Sequence, residues 1–352
     1  MNHNLHQFLI ELLKTPSPSG FEEKIQLLFI NFIRDYVDEL KVDIQGNVIA
    51  HKKGNGAQRI MLMSHADEVG LMVKYIDDNG FIYFSEVGGV DPNILEGIQV
   101  EIHNKKQTVQ GIIGKRTSSE DGDKRNLNVE DLWVDIGVKS KKEALDFIKI
   151  GDFITFRSNV NILPNKRISS KSLDNKIGLY IIASVLEQLS GVPLDCDLYI
   201  VSSVQEEIGL RGAMTATFDI NPDIGIAIDV THATDYPTNS SEKNGDIKLN
   251  EGVVIPIGAN INTKVNEIFM RIIEENGIKY QLEAIPHATR TDANVIQITR
   301  SGVATGLLSI PCRYMHSPNE IIALEDAASA IELLTLFCKS ISNGISFVPY
   351  QV

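Results

Sequence analysis

The chain has 352 residues, 43% hydrophobic and 22% charged, with 46 acidic against 33 basic side chains and a formal net charge of −13. That length exceeds what one core usually organises, so two domains are expected. The acidic balance argues against a nucleic-acid partner, which needs clustered positive charge, and it tolerates bound cations.

Taken in chain order, "LHQFLIELLK" has apolar residues at helical spacing, "PSPSG" breaks it, and "FEEKIQLLFINFIRDYVDEL" opens a second amphipathic helix. "LKVDIQGNVIAHKKG" alternates around a Gln-Gly-Asn turn and predicts a hairpin. "RIMLMSH" reads as a short strand covered on both faces. The pattern then changes. "LMVKYIDDNGFIYFSEVGGV" predicts two strands around Asp78-Asn79-Gly80. "GIQVEIH", "QTVQGIIGK", "LWVDIGV" and "GDFITFRS" add further short strands, and "SKKEALDFI" adds one helix. Residues 71–165 are therefore expected to form an inserted small β-barrel, with the polar stretch "RTSSEDGDKRNLNVED" as a mobile loop.

From Ser172 onward helices and strands alternate. "NKIGLYIIASVLEQL", "TKVNEIFMRIIEENG", "DANVIQITRSG" and "ALEDAASAIELLTLFCKSI" read as helices. "DLYIVSSVQ", "IGIAIDVTH", "YQLEAI" and "VATGLLSIP" read as strands. Residues 1–70 and 166–352 are thus expected to form one α/β domain with helices on both faces of a mostly parallel sheet. Cys196, Cys312 and Cys338 form no CxxC pair and are read as small buried hydrophobes in a reducing, cytoplasmic setting. No apolar run is long enough for a bilayer, and the N-terminus shows no secretory pattern, so no membrane partner is expected.

Functional groups of open α/β sheets gather at the carboxyl ends of strands. Here those ends carry His65 and Asp67 after "RIMLM", Glu206 and Glu207 after "DLYIVSSV", Asp229 after "IGIAI", and His316 after "GLLSIPCRY". Asp174 stands before the helix that follows "SSKS". One such residue is ordinarily a turn or cap residue. A convergent set crowds carboxylates together, which is costly unless cations occupy the site. Oxygen and nitrogen donors without thiolate suit Zn²⁺, Co²⁺ or Mn²⁺. Asp174, Glu207 and Asp229 bring three negative charges, which two divalent ions and one hydroxide would balance, with Asp174 the natural bridge. Glu206 and Glu207 diverge on an extended backbone, so one can bind metal while the other acts as general base. Asp67 is placed to orient His65.

The motifs "SHADEVG", "SLDNKIG", "QEEIGLRGA", "AIDVTHATD", "TDANVIQITRSGVATGLLSIPCRYMHSPNE" and "VEDLWVDIGVKSKKEA" resemble the M42 metallo-aminopeptidases, the group of glutamyl aminopeptidase and the tetrahedral TET peptidases. The resemblance spans nearly the whole chain. It implies a phosphorylase/hydrolase-like three-layer αβα catalytic domain with an inserted β-barrel. It also implies two divalent metal ions, with one held by Asp174, Glu207 and His316 and the other by His65, Asp174 and Asp229. Glu206 would be the general base, Asp67 would lie behind His65, and short peptides would lose their amino-terminal residues. A homo-oligomer built as a tetrahedral dodecamer is implied as well. Two positions depart from the family pattern: Lys176 stands where Arg is common, and Arg290 where Gly is common. The alternatives are a metal-dependent deacylase or carboxypeptidase of the same fold, and a non-catalytic assembly protein.

Overall fold

The computed structural model describes residues 3–104, 106–116 and 127–350. Residues 117–126, the centre of the expected mobile loop, lie outside the described residues. Helices α1 (His3–Lys14) and α2 (Glu23–Ile33) open the chain, followed by β1 (Glu39–Val42), β2 (Val48–Lys52) and β3 (Arg59–His65). Next come β4 (Gly70–Ile76), β5 (Ile82–Val87), β6 (Gln99–His103), β7 (Thr108–Lys115), β8 (Leu132–Asp135), α3 (Lys141–Phe147) and β9 (Phe153–Phe156). Strands β10 (Asn161–Leu163) and β11 (Arg167–Ser170) lead into α4 (Leu173–Gln188), β12 (Asp197–Ser203), α5 (Arg211–Ile220), β13 (Ile224–His232) and α6 (Ser241–Asn244). The remainder is β14 (Val253–Gly258), α7 (Thr263–Asn276), β15 (Tyr280–Ile285), α8 (Ala293–Gln297), β16 (Ala304–Cys312), β17 (Glu320–Ala323) and α9 (Leu324–Ser340).

The main sheet runs in the order β1-β2-β12-β3-β13-β16-β14-β15. Its centre, β12-β3-β13-β16, is parallel throughout, and the β14-β15 pair is also parallel. β2 joins antiparallel to β12, and β14 antiparallel to β16. β3 shows why its run is unbroken. Ile60 and Leu62 enter a core with Leu9, Phe29, Ile182, Phe269 and Phe337. Met61 and Met63 enter an opposite core with Ala213 and Ala216 of α5 and Ala293 and Ile296 of α8. Alternate side chains thus serve two helical layers, which makes the three-layer αβα domain. α4 is buried on every side from Leu173 to Leu186, and from Ile177 on nearly all of those side chains are apolar rather than confined to one stripe.

The strands β4-β5-β8-β7-β6-β9 close into a barrel with a separate core that includes Val73, Ile102, Val134 and Ile154. Its first hairpin turns at the expected Asp-Asn-Gly. Asp77 Oδ1 accepts from the N–H groups of Asn79 and Phe81, and Gly80 adopts φ 92°. The fold class is therefore the expected α/β domain with a barrel inserted after β3.

Several elements escape the pattern. β10, β11 and β17 form a small separate sheet. β10 and β11 are too short to show a period, and β10 is mostly exposed. α5 begins directly after a left-handed residue, Leu210 at φ 59°, inside what reads as a loop. β14 contains Pro256, which weakens a strand signal. The helix expected over residues 292–302 spans only Ala293–Gln297.

Candidate metal centre

The parallel register brings the strand ends to one level. His65 ends β3 and lies opposite Ser203, the last residue of β12. The chain turns there, with Gln205 at φ 57°, and presents Glu206 and Glu207. Asp229 lies within β13, opposite Ser309 of β16. Asp174 and Asn175 keep non-helical torsions at the start of α4 and are joined by a cis peptide bond. His316 sits beyond β16 in a left-handed conformation, φ 61°.

These residues converge. His65 Nε2 lies 3.3 Å from Asp174 Oδ1, 3.7 Å from Asp229 Oδ1 and 3.9 Å from Glu206 Oε2. His316 Nε2 lies 3.2 Å from Asp174 Oδ2 and 3.5 Å from Glu207 Oε2. Two donor triads result, His65–Asp174–Asp229 and Asp174–Glu207–His316, each with its ligand atoms within 4.8 Å of one another. Asp174 belongs to both. His65, Glu206 and Glu207 also meet that spacing. All seven residues singled out in the sequence therefore stand at one place.

Asp67 does more than lie behind the imidazole. His65 Nδ1 approaches its backbone carbonyl oxygen at 3.1 Å. Its Oδ1 accepts from the Glu206 N–H at 2.9 Å, and its Oδ2 accepts from Glu207 N–H at 3.1 Å and from Ser19 Oγ at 2.6 Å. It is 0% exposed. One carboxylate thus fixes the turn that carries both glutamates.

The electrostatics are those of an overcrowded acidic pocket. Burial pushes the Glu206 carboxyl up to about 10; His65 opposes this, and the charges of Asp229, Asp292 and Glu207 add to it. Burial, aided by Asp174, pushes Glu207 to about 8. Asp229 is raised by burial, which outweighs His65. Burial works against protonation of His65 and His316, yet the surrounding carboxylates raise both, His316 to about 9. Asp174 alone falls below the carboxylate range: burial opposes its charge, but the hydrogen bonds and charges of His316 and His65 prevail. The protein by itself relieves the crowding by holding protons. Divalent cations would relieve it by replacing them. Buried Glu207 Oε1 has no hydrogen-bond partner, and Asp174 Oδ1 has none of good geometry. Unsatisfied carboxylate oxygens within a mixed N/O donor set fit a pair of divalent ions.

The surroundings of the site hold further buried charges. Asp292, directly before α8, makes no side-chain cap; its Oδ2 accepts from Ser203 Oγ at 2.7 Å and its Oδ1 has no partner. Burial raises it to about 7. Glu68, beside Asp67, is buried against Lys171 and against Lys176 Nζ at 3.1 Å. Lys176 also donates to the Thr15 carbonyl oxygen at 2.6 Å, so it ties the N-terminal segment to α4. The barrel contributes too. A Cβ on Gly88 (φ 79°) would lie 3.2 Å from Glu207 Cβ and 3.0 Å from Val69 Cγ1, and one on Gly89 would lie 3.3 Å from His316 Nδ1. Arg290 adopts φ 59°, the region where Gly is at ease. Asp235 holds Arg313 through Nε at 2.8 Å and Nη2 at 2.6 Å. All three cysteines are buried and free. No helix among the described residues is long and apolar enough to cross a membrane.

Comparison with known proteins points the same way. The family model for M42 glutamyl aminopeptidase matches residues 46–333. The lysyl aminopeptidase of Pyrococcus furiosus is 37% identical over 97% of this chain and 99% of its own length. The structure of aminopeptidase APDkam598 from Desulfurococcus kamchatkensis superposes with a TM-score of 0.91 at 34% identity, covering 96% of this chain and 95% of that one. The TET1 peptidase of Pyrococcus horikoshii gives a TM-score of 0.86 at 31% identity, covering 96% and 100%, and is described as assembling into a tetrahedron or a large octahedral shell. With fold, strand-end residues and full-length similarity in agreement, this chain belongs to the M42 glutamyl aminopeptidase family.

Proposed function

We propose that the chain is a dinuclear metallo-aminopeptidase that removes amino-terminal residues from short peptides. The observation that carries this reading is the pair of donor triads sharing Asp174, with a further carboxylate, Glu206, beside them and outside the two. His65, Asp174 and Asp229 would hold one divalent ion, and Asp174, Glu207 and His316 the other. Zn²⁺ and Co²⁺ suit this donor set, and Mn²⁺ is compatible with it. When bound, such a pair polarises the scissile carbonyl and makes water nucleophilic near neutral pH.

The chain's own residues supply the rest. Glu206, held in place through its backbone by Asp67, accepts the proton of the attacking water and returns it to the departing amine nitrogen. Bound cations would take the place of the proton that burial favours on Glu206, leaving its carboxylate free to accept one from water. The acidic rim gives the cationic amino terminus of a peptide a favourable place beside the scissile bond, which accounts for exopeptidase action. Family likeness, including the P. horikoshii assembly, supports a homo-oligomer with a tetrahedral dodecamer as its form, and three free buried cysteines support a cytoplasmic setting.

The test is a panel of aminoacyl p-nitroanilides, run with Zn²⁺, Co²⁺ or Mn²⁺ and after chelation. Chelator-sensitive release from free amino termini, absent for N-acetylated substrates, is expected. Glu206→Gln should lower kcat at least 1000-fold, on the order expected for a lost general base, while metal content stays at the wild-type level. Full activity in that variant would remove Glu206 from its role.

A further inference from the structure

We propose that Glu320 is a positioning residue that sets the Asp174–Glu207–His316 half of the metal centre. The proposal rests on the dimetal reading above. Glu320 opens β17 opposite Ser170 of β11, and it is 1% exposed. It belongs to neither donor triad. Both of its carboxylate oxygens are nevertheless committed. Oε2 accepts from the backbone N–H of Asp174 at 3.0 Å, and Oε1 accepts from the backbone N–H of His316 at 2.8 Å. A single carboxylate therefore joins the two chain segments whose side chains meet at 3.2 Å.

Both segments need such a hold. Asp174 lies in the non-helical start of α4, and His316 is a left-handed residue without the freedom of glycine. Neither backbone position is fixed by regular secondary structure. The arrangement mirrors Asp67, whose two oxygens accept from the N–H groups of Glu206 and Glu207 on the other side of the centre. Each carboxylate acts on backbone, so each places ligand side chains without competing for the ions. A carboxyl group suits the place because each of its two oxygens accepts from one of the donors. An amide in its place would turn an NH₂ toward one of the N–H groups. Partners of metal ligands commonly affect affinity by about 10–100-fold.

The experiment compares wild type, Glu320→Gln and Glu320→Asp as metal-free proteins. Each is titrated with Zn²⁺ by calorimetry, and its metal-free melting temperature is recorded. Wild type is expected to take up two ions per chain. Glu320→Gln should bind the Asp174–Glu207–His316 ion about 10–100-fold more weakly, and the other ion, which shares Asp174, should be weakened less. The weakened step should shrink in a His316→Ala background, since the effect acts partly through that ligand. Glu320→Asp, whose shorter carboxylate cannot reach both donors, should also weaken one ion, and it serves if the Gln variant does not fold. Wild-type affinity for both ions in either variant would overturn the proposal. So would equal weakening of both ions together with a lower metal-free melting temperature, the mark of a merely structural residue. Failure of wild type to bind two ions would refute the dimetal reading itself, and the proposal with it.

Discussion

Replacing Glu68 by Gln should destabilise the metal-free protein by about 3 kcal/mol near neutral pH. Glu68 is 2% exposed and faces two buried ammonium groups, Lys171 and Lys176, while accepting from the Ser17 N–H at 2.7 Å. Burial alone would raise its carboxyl, but the Lys171 and Lys176 charges bring it down from 4.5 to about 2. At about 1.36 kcal/mol per pH unit, that fall corresponds to about 3 kcal/mol. Removing one member of a buried ion pair costs about 3–5 kcal/mol in general, which agrees. Burial, assisted by Lys171, pushes Lys176 down to about 7, so it can shed its proton when Glu68 is lost and limit the cost.

With about 2.1 cal/mol/K of unfolding entropy per residue over 352 residues, about 3 kcal/mol lowers a two-state melting temperature by about 4 °C. The assay is calorimetry in the presence of chelator, so that metal linkage does not contribute. The pH dependence carries a sign. A depressed carboxylate stabilises fully above its unfolded value and loses that contribution as pH falls through its folded value. The gap between wild type and Glu68→Gln should therefore be full above pH 4.5 and close as pH falls toward 2. A melting temperature within 1 °C of wild type at pH 7, or a gap that widens in acid, would refute the reasoning.

Three other outcomes are expected. Asp67→Asn replaces two acceptor oxygens by one, frees an N–H of the glutamate turn, and should lower kcat/KM by about 10–100-fold with metal content retained; unchanged kinetics would show that the turn holds itself. Gly88→Ala adds a Cβ at φ 79° against Glu207 and Val69, and should cost about 1–2 kcal/mol in thermal stability, together with weaker activity; a neutral result would mean that the barrel loop does not bear on the centre. Chelation should abolish hydrolysis and lower the melting temperature, since an ion held at 1,000 times its Kd stabilises by about 4.1 kcal/mol; re-addition of Zn²⁺ or Co²⁺ should restore both, and a chelator-insensitive melting curve would contradict a tightly held ion pair.

Much of this protein is written locally. The unbroken "RIMLM" run announces a strand covered on both faces, and Ile60 and Met61 do enter opposite cores. Asp-Asn-Gly specifies its hairpin because the side chain of Asp77 and the freedom of Gly80 close the turn within five residues. His65, Glu206, Glu207 and His316 were legible because strand ends in a parallel sheet fall on one edge; Asp229 was read as another strand end, but β13 runs on to His232 and Asp229 reaches the centre from within it. Asp174 was legible because it precedes a helix at that same edge.

Other features depend on contacts far apart in sequence, which no local pattern encodes. Glu320 reaches Asp174 across 146 residues and Glu68 meets Lys171 across 103. Both glutamates stand inside motifs quoted above, "SHADEVG" and "MHSPNE", yet nothing local marks either as buried. Only folding removes them from water, and a carboxylate removed from water must find a cation or several N–H groups. Asp292 shows the same limit, since Ser203 and not its own helix receives it. Helix and strand periods, turn chemistry and the order of donor residues lay in the amino acids themselves; which buried charge answers which, and how closely the barrel's glycines approach the centre, was decided by the tertiary fold, because desolvation and distance set those interactions and neither exists along an extended chain.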